Sequence, residues 1–439
     1  MSRGTVSVII LVTAGLLLML TRVIGVRQAM LIIMLMRPSC DRGFDWIKAN
    51  IGQQSGPGAV INALMIALAM LAIVQVPRAA LSSPLLAWAG LIAAAAISLL
   101  HTPDLSAGTR DVLDLVTYAA AFSIPYIVVK NQTAAAQCLT VALASSIVPS
   151  LYSLLELAKQ PQSLTGEERL QSTFTHPNIY AFYIVGVLAL ILYMHSSATF
   201  RISPRMRRVT AAYAVYLVFL LLLTKTRSAW LSALLLMAGY SLVVDRRWLV
   251  PLTILPLALF VPGVSERLAD LQSGAVDGAY EHLNSMAWRE ILWNDTLEWL
   301  AANPSGWFGY GLGSYQSYFP LFFARGAGQD GIGPHNAILQ IYFEMGNVGL
   351  LSFAALMAVI AFRLVSRMRA DLAGTFTMLL LCVGYLMMFY SDNLLDYLQF
   401  QWFFWFTIGT VCASTGLPRT ALRPAPPSTA TSRVIGLPS

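Results

Sequence analysis

An all-α polytopic membrane protein, with about twelve transmembrane helices and one large loop, is the fold class this sequence predicts, and three observations predict it. Hydrophobic residues fill 57% of the 439 positions and charged residues only 11%, with a mean hydropathy of +0.66. An ordinary soluble domain does not have that balance. The apolar residues fall in runs of about 17 to 25, long enough to cross a hydrocarbon core as helices that satisfy their own backbone hydrogen bonds. Basic residues gather in one set of the connections between the runs, as they do on the cytoplasmic side of membrane proteins.

In chain order the runs predict spans near 6–36, 57–76, 83–101, 112–129, 134–157, 177–196, 209–224, 228–245, 248–262, 336–362, 373–391 and 398–415. Arg22 and Arg27 interrupt the first, which reads as one span or as a span plus a short re-entrant piece. That run has no A-x-A-like site and is followed by more apolar sequence, so no cleavable signal peptide is expected. Arg78, Lys130, the group Arg201, Arg205, Arg207 and Arg208, the pair Arg246 and Arg247, and the group Arg363, Arg367 and Arg369 mark the cytoplasmic side and place both termini there. The net charge of +7 then reflects topology and calls for no nucleic-acid partner. Cys138, Cys382 and Cys412 lie in spans and Cys40 stands alone in a loop, a pattern that offers no disulfide framework or C-x-x-C metal site.

The organisation expected is nine spans in residues 1–262, a large outer loop over 263–334, three spans in 335–415 and a tail over 416–439. The Pro/Ser/Thr-rich tail is expected to be disordered in the cytoplasm. A loop of roughly 70 residues is far longer than most helix connections, and loops of that length tend to be functional or disordered. This one has structure-forming content. "NSMAWREILWNDTLEWLAANPSG" opens with the cap candidates Asn284 and Ser285, spaces Trp288, Ile291, Leu292 and Trp299 at helical intervals, and ends on Asn303, Pro304 and Gly306. After it, "GWFGYGLGSYQSYF" alternates glycines with aromatics, a composition suited to the membrane interface or to stacking on sugar rings.

On the same outer side, several short connections carry charge that positive-inside logic disfavours. "LLLTKTRSAWLSALLL" holds Lys225 and Arg227 in a tight turn, and "GEERLQSTFTHPNIYAF" holds Arg169, Gln171, His176 and Asn178 at a helix entrance. Arg289 lies in the loop helix, and "GIGPHNAILQIYFEMG" puts His335 and Asn336 where the loop becomes an apolar run. Each has a plain structural reading. Asn336 can cap a helix, Lys225 and Arg227 can snorkel to headgroups, Arg289 can be a solvated surface charge, and His176 before Pro177 can be a turn residue. Their shared side favours function, because ionisable groups at a membrane boundary are costly.

One histidine and several arginines, with no D-x-D pair to hold a metal, suit glycosyl transfer from a lipid pyrophosphate. Pyrophosphate is a good leaving group that needs charge neutralisation, which guanidinium forks supply bidentately. The sugar hydroxyl that attacks is a poor nucleophile and needs a base, the usual task of a neutral imidazole. A transporter would instead place ionisable residues near the bilayer midplane and show paired repeats.

The order "RLQSTFTHPN", "LLTKTRSAWL", a long loop with "WRE" and "GYGLG", then "PHNAILQIYFEMGNVGLL" resembles the O-antigen ligase and polymerase superfamily, and within it the lipopolysaccharide O-antigen ligases. The resemblance covers about residues 165–400 and is most specific in Arg227, Arg289 and the His335–Asn336 pair; the amino-terminal spans match in hydropathy alone. It implies a GT-C-type enzyme of the inner membrane, acting on the periplasmic face without metal, nucleotide or other cofactor. The donor it implies is O-antigen on undecaprenyl pyrophosphate, the acceptor is the outer core sugar of lipid A-core, and the anomeric carbon inverts. His335 matches the proposed base, and Arg227 and Arg289 match the arginines that engage the diphosphate; Lys225 is expected to join them in binding the pyrophosphate, at a position where many relatives carry a small or polar residue. An O-antigen polymerase or a protein O-oligosaccharyl ligase would share this motif set.

Overall fold

The computed structural model describes residues 15, 19, 21–44, 46, 57–159, 168–198, 200, 202–249, 285–323 and 333–414, and among them it is helical throughout with no strand. In chain order the helices are α1 (Val26–Met36), α2 (Pro57–Gln75), α3 (Ser83–Ser98), α4 (Leu105–Val128), α5 (Gln132–Ala144), α6 (Ile147–Lys159), α7 (Pro177–Ser196), α8 (Pro204–Leu223), α9 (Arg227–Val243), α10 (Ser285–Ala302), α11 (Tyr315–Phe322), α12 (Ala337–Val365), α13 (Leu372–Ser391) and α14 (Leu398–Ser414). Among the described residues, eight stretches are long and apolar enough to cross a membrane: α2, α3 extended to His101, α4, α5 with α6, α7, α8, α12 and α13. The shorter α9 is apolar as well. The chain is therefore a multi-pass membrane protein. Residues 250–262 of the expected span at 248–262, most of the first span before residue 21, Arg201, the loop residues 263–284 and 324–332, and the tail at 416–439 lie outside the described residues.

Composition sets the layers. A helix that is apolar all round must lie in lipid or in the protein core, and α2 and α7 take the two options. Most of α2 faces outward, whereas 83% of the apolar window of α7 is buried. Helix α14 shares the centre with α7, buried along nearly its whole length. It approaches α4 closely because Gly409 sits on the backbone of Phe122, where an added Cβ would lie 2.4 Å from the carbonyl oxygen. Small residues at such crossings let helix backbones meet, which suits a medium that gives no hydrophobic drive for association. Aromatic contacts complete the packing, among them Tyr385 on Phe404 at 4.0 Å and Trp88 against Trp405 at 4.7 Å.

Connections meet at the two ends of this bundle. At one end Asp371 caps α13 and accepts from the Ser197 hydroxyl, and His195 packs near Trp248, beside Arg246 and Arg247. At the other end the segments around 37–42, 101–108, 168–176, 224–227, 285–323, 333–336 and 392–397 join. Arg42 donates to the Ser172 carbonyl at 3.1 Å, Arg169 to the Thr224 carbonyl at 2.9 Å, and the His335 amide to the Asn393 side chain at 2.6 Å.

Helix α12 breaks where the large loop grips it. Gly346 has φ 63° inside the helix, and the backbone groups freed there are taken by the glycine-rich strap. Tyr310 and Gly311 donate to the carbonyls of Phe343 and Glu344, each at 2.9 Å, and Val348 donates to the carbonyl of Trp307 at 3.1 Å. Phe353 stacks on Phe389, three residues before Asp392. Gly346 lies seven residues, about 10 Å of helix, back from Phe353, which puts it, like His335, at the end where these connections meet. The break divides α12 into residues 337–345, next to His335, and residues 347–365.

Glycine is required in the strap by both conformation and space. Gly309, Gly311 and Gly313 have φ of 73°, 99° and 74°, and a Cβ on Gly311 would lie 2.2 Å from the Thr102 amide. Gly311→Ala is expected to cost about 2–5 kcal/mol, from left-handed strain plus overpacking. A thermal melt in detergent reads the cost directly, and a wild-type midpoint would mean that the strap is not seated on α3 and α4.

Candidate active site

Three residues other than glycine have positive φ among the described residues, Ser172 (57°), Lys225 (52°) and His335 (49°), and all three stand at the end of the bundle just described. Such strain costs about 1–3 kcal/mol per residue and persists where surrounding contacts over-determine it, commonly at functional sites. The contacts are present. The Ser172 amide donates to Glu156 at 2.6 Å and its hydroxyl to the Pro149 carbonyl at 2.6 Å. Lys225 is buried with its ammonium on the Glu168 carbonyl, so it does not snorkel outward.

His335 stands just before α12, and Asn336 caps that helix by accepting from the amides of Ile338 and Leu339, each at 3.1 Å. The cap frees the histidine from capping duty. Its Nδ1 faces Oδ1 of Asp392 at 3.4 Å. That length is long for a hydrogen bond, and catalytic hydrogen bonds commonly tighten once substrate is bound. With Nδ1–H donating to the carboxylate, the lone pair lies on Nε2, where it can accept a proton.

Asp392 is 1% exposed and accepts four donors: His335, the Asn178 amide group, the Tyr397 hydroxyl at 2.9 Å and the Asn393 backbone amide at 2.9 Å. Burial pushes this carboxyl up, but the hydrogen bond from His335, the Arg289 charge and the Tyr397 hydroxyl together carry it below its ordinary value. It is ionised at neutral pH. A carboxylate with a depressed folded-state pKa contributes stability above its unfolded pKa and loses it as pH falls through the folded one. For Asp392→Asn, the deficit in melting temperature against wild type is therefore expected to stay constant from neutral pH down through the ordinary carboxylate range, about 4, and to shrink only below it. A deficit that shrinks already near pH 6 would mean the carboxyl is not held ionised.

Behind Asp392 the network continues to the helix entrance named from sequence. Asn178 donates to Asp392 and accepts from Arg169 and from the Thr226 hydroxyl at 3.2 Å, while Arg169 also donates to the Thr226 hydroxyl at 2.9 Å. His176 caps α7, its Nδ1 accepting from the Asn178 amide at 3.1 Å. Burial and the Arg169 charge hold its imidazole below the usual range, which keeps it neutral for that role. Arg227 opens α9 one residue after Thr226 and is half-buried.

Arg289 is delivered by two tryptophans. Trp288 meets the His335 ring edge-on at 5.6 Å, and Trp293 donates to the Pro334 carbonyl at 2.7 Å. They dock α10 against the loop that carries the histidine, which brings the Arg289 charge within reach of Asp392. The structure thus links His335, Asn178, Arg169 and Arg289 through Asp392, sets His176 and Arg227 at its margin, and gives Lys225 and Asn336 backbone-holding tasks. The sequence reading did not name Asp392, Asn393 or Tyr397. The available signal was "YSDN", an acid and an amide at the outer end of a span on the histidine's side.

Fold and site together define a multi-pass all-α membrane protein with a histidine–carboxylate pair and arginines at one end of the bundle. Residues 212–354 match a family model described as O-antigen ligase. That match, which covers about a third of the chain, supports a relationship to the O-antigen ligase/polymerase superfamily. No curated protein matches the chain. The matched segment contains Lys225, Arg227, Arg289, His335 and Asn336; Arg169, His176, Asn178 and Asp392 lie outside it.

Proposed function

We propose that the chain is an inner-membrane glycosyltransferase that moves O-antigen polysaccharide from undecaprenyl pyrophosphate to the outer core sugar of lipid A-core on the periplasmic face. The observation that carries the reading is His335 held against the ionised Asp392 with the Arg289 charge beside them, two of the three inside the O-antigen ligase match. The gathering of basic residues toward the opposite end favours a site facing away from the cytoplasm.

In this reading Nε2 of His335 takes the proton of the acceptor hydroxyl as its oxygen bonds to the anomeric carbon. The bond from that carbon to the pyrophosphate oxygen breaks on the opposite side, inverting the centre. Arg227 and Arg289 neutralise the charge that gathers on the leaving undecaprenyl pyrophosphate. Asp392 holds the imidazole in one tautomer and stabilises it once protonated, as the third member of a triad does. The histidinium then releases its proton to water. Asp392→Asn is expected to lower transfer about 10- to 100-fold, less than loss of the base itself. An unchanged rate would mean that the carboxylate does not orient the histidine during catalysis.

Lipopolysaccharide from a strain lacking the gene tests the reading. Core without polymer, together with accumulated lipid-linked polymer, supports a ligase; core bearing a single repeat unit supports a polymerase, the runner-up. A purified enzyme that loses activity on chelation and regains it with a divalent ion would overturn the metal-free mechanism.

A further inference from the structure

We infer that the glycine strap is a membrane anchor, with Trp307 and Phe308 seated in the headgroup boundary of the bilayer at the site end of the bundle. Trp307 is 64% exposed and Phe308 36%, and beside them Leu100 and Leu105 are 83% and 63% exposed. The four form one patch: the Phe308 ring stacks on His101 at 6.2 Å, and Gly311 and Gly313 rest on the backbones of Thr102 and Gly108. His101 closes one candidate span and Leu105 opens the next. The patch therefore straddles the level at which two helices leave the hydrocarbon, next to their outward-facing apolar surfaces.

That position names the occupant. A cluster of large apolar side chains left in water is unfavourable and uncommon, whereas an indole, with an apolar body and a polar N–H, is best accommodated where acyl chains give way to headgroups. The strap backbone cannot retreat from that level, because its hydrogen bonds to Phe343, Glu344 and Val348 tie it to the break in α12. The bilayer then bears on α12 at Gly346, and the first part of that helix begins two residues after His335. The anchor fixes the height of the histidine relative to the lipid surface.

The test does not depend on the enzymatic reading. In the full-length protein with Cys40→Ser, which leaves the three buried cysteines unlabelled, Trp307→Cys carries an environment-sensitive fluorophore, and the protein is placed in phosphatidylcholine nanodiscs. Nitroxide-bearing lipid labelled just below the headgroup is expected to quench the probe strongly and aqueous iodide weakly. Leu100→Cys serves as a second site should Trp307→Cys fold poorly, and the same pattern is expected there. Quenching by iodide with little effect of lipid nitroxide would show the patch in water and overturn the anchor. Protection from both quenchers would mean that protein covers it, which overturns the inference equally.

Discussion

Transfer by His335→Ala is expected to fall by about 10²- to 10⁴-fold, the usual loss when a general base is removed, with donor binding largely intact. The separation follows from the geometry. His335 faces Asp392, whereas the charges proposed to hold the pyrophosphate are Arg227 and Arg289, on α9 and α10. The fold should survive, because the helix cap belongs to Asn336, and alanine removes a side chain whose carboxylate partner keeps three other donors. The measurement is turnover of purified enzyme with lipid-linked donor and rough lipopolysaccharide, alongside binding of the donor alone. Near-normal turnover would leave the histidine a structural role. Loss of donor binding in step with turnover would place it with the phosphate-binding groups instead.

Arg227→Ala and Arg289→Ala should each lower transfer by about 10²- to 10³-fold, the scale seen when one preorganised donor to developing charge is removed. Lysine should substitute poorly. An ammonium is a point charge and cannot grip two phosphate oxygens as a planar fork does. The two positions should differ in a second readout. Arg289 contributes to the low pKa of Asp392, so Arg289→Ala should also raise the pH at which the Asp392 contribution to stability is lost. The assay is the same reconstituted transfer, with membrane insertion checked for each variant. A fully active Arg227→Lys would show that charge alone suffices and that the fork geometry is irrelevant.

Hydropathy and residue order by themselves determined the class of this protein and most of its apolar helical runs, and they put Arg169, Lys225, Arg227, Arg289 and His335 at or beyond the ends of such runs. Those are one-dimensional properties: apolar length sets a span, basic connections set its direction, and an Asn before an apolar run sets a cap. Which span ends meet was decided by the tertiary structure. His335 and Asp392 are separated by a complete pass through the bundle and back, and Asn178 and Asp392 by 214 positions in the sequence. Such pairings depend on the lateral order and rotation of the helices. A helix such as α7, buried along 17 named residues from Asn178 to Met194 with no polar stripe, carries no sign of which face turns where. The left-handed backbone at Ser172, Lys225 and His335 was equally hidden, since none is the glycine that would announce it. Contacts from distant segments hold those conformations, and they exist only once the span ends have come together.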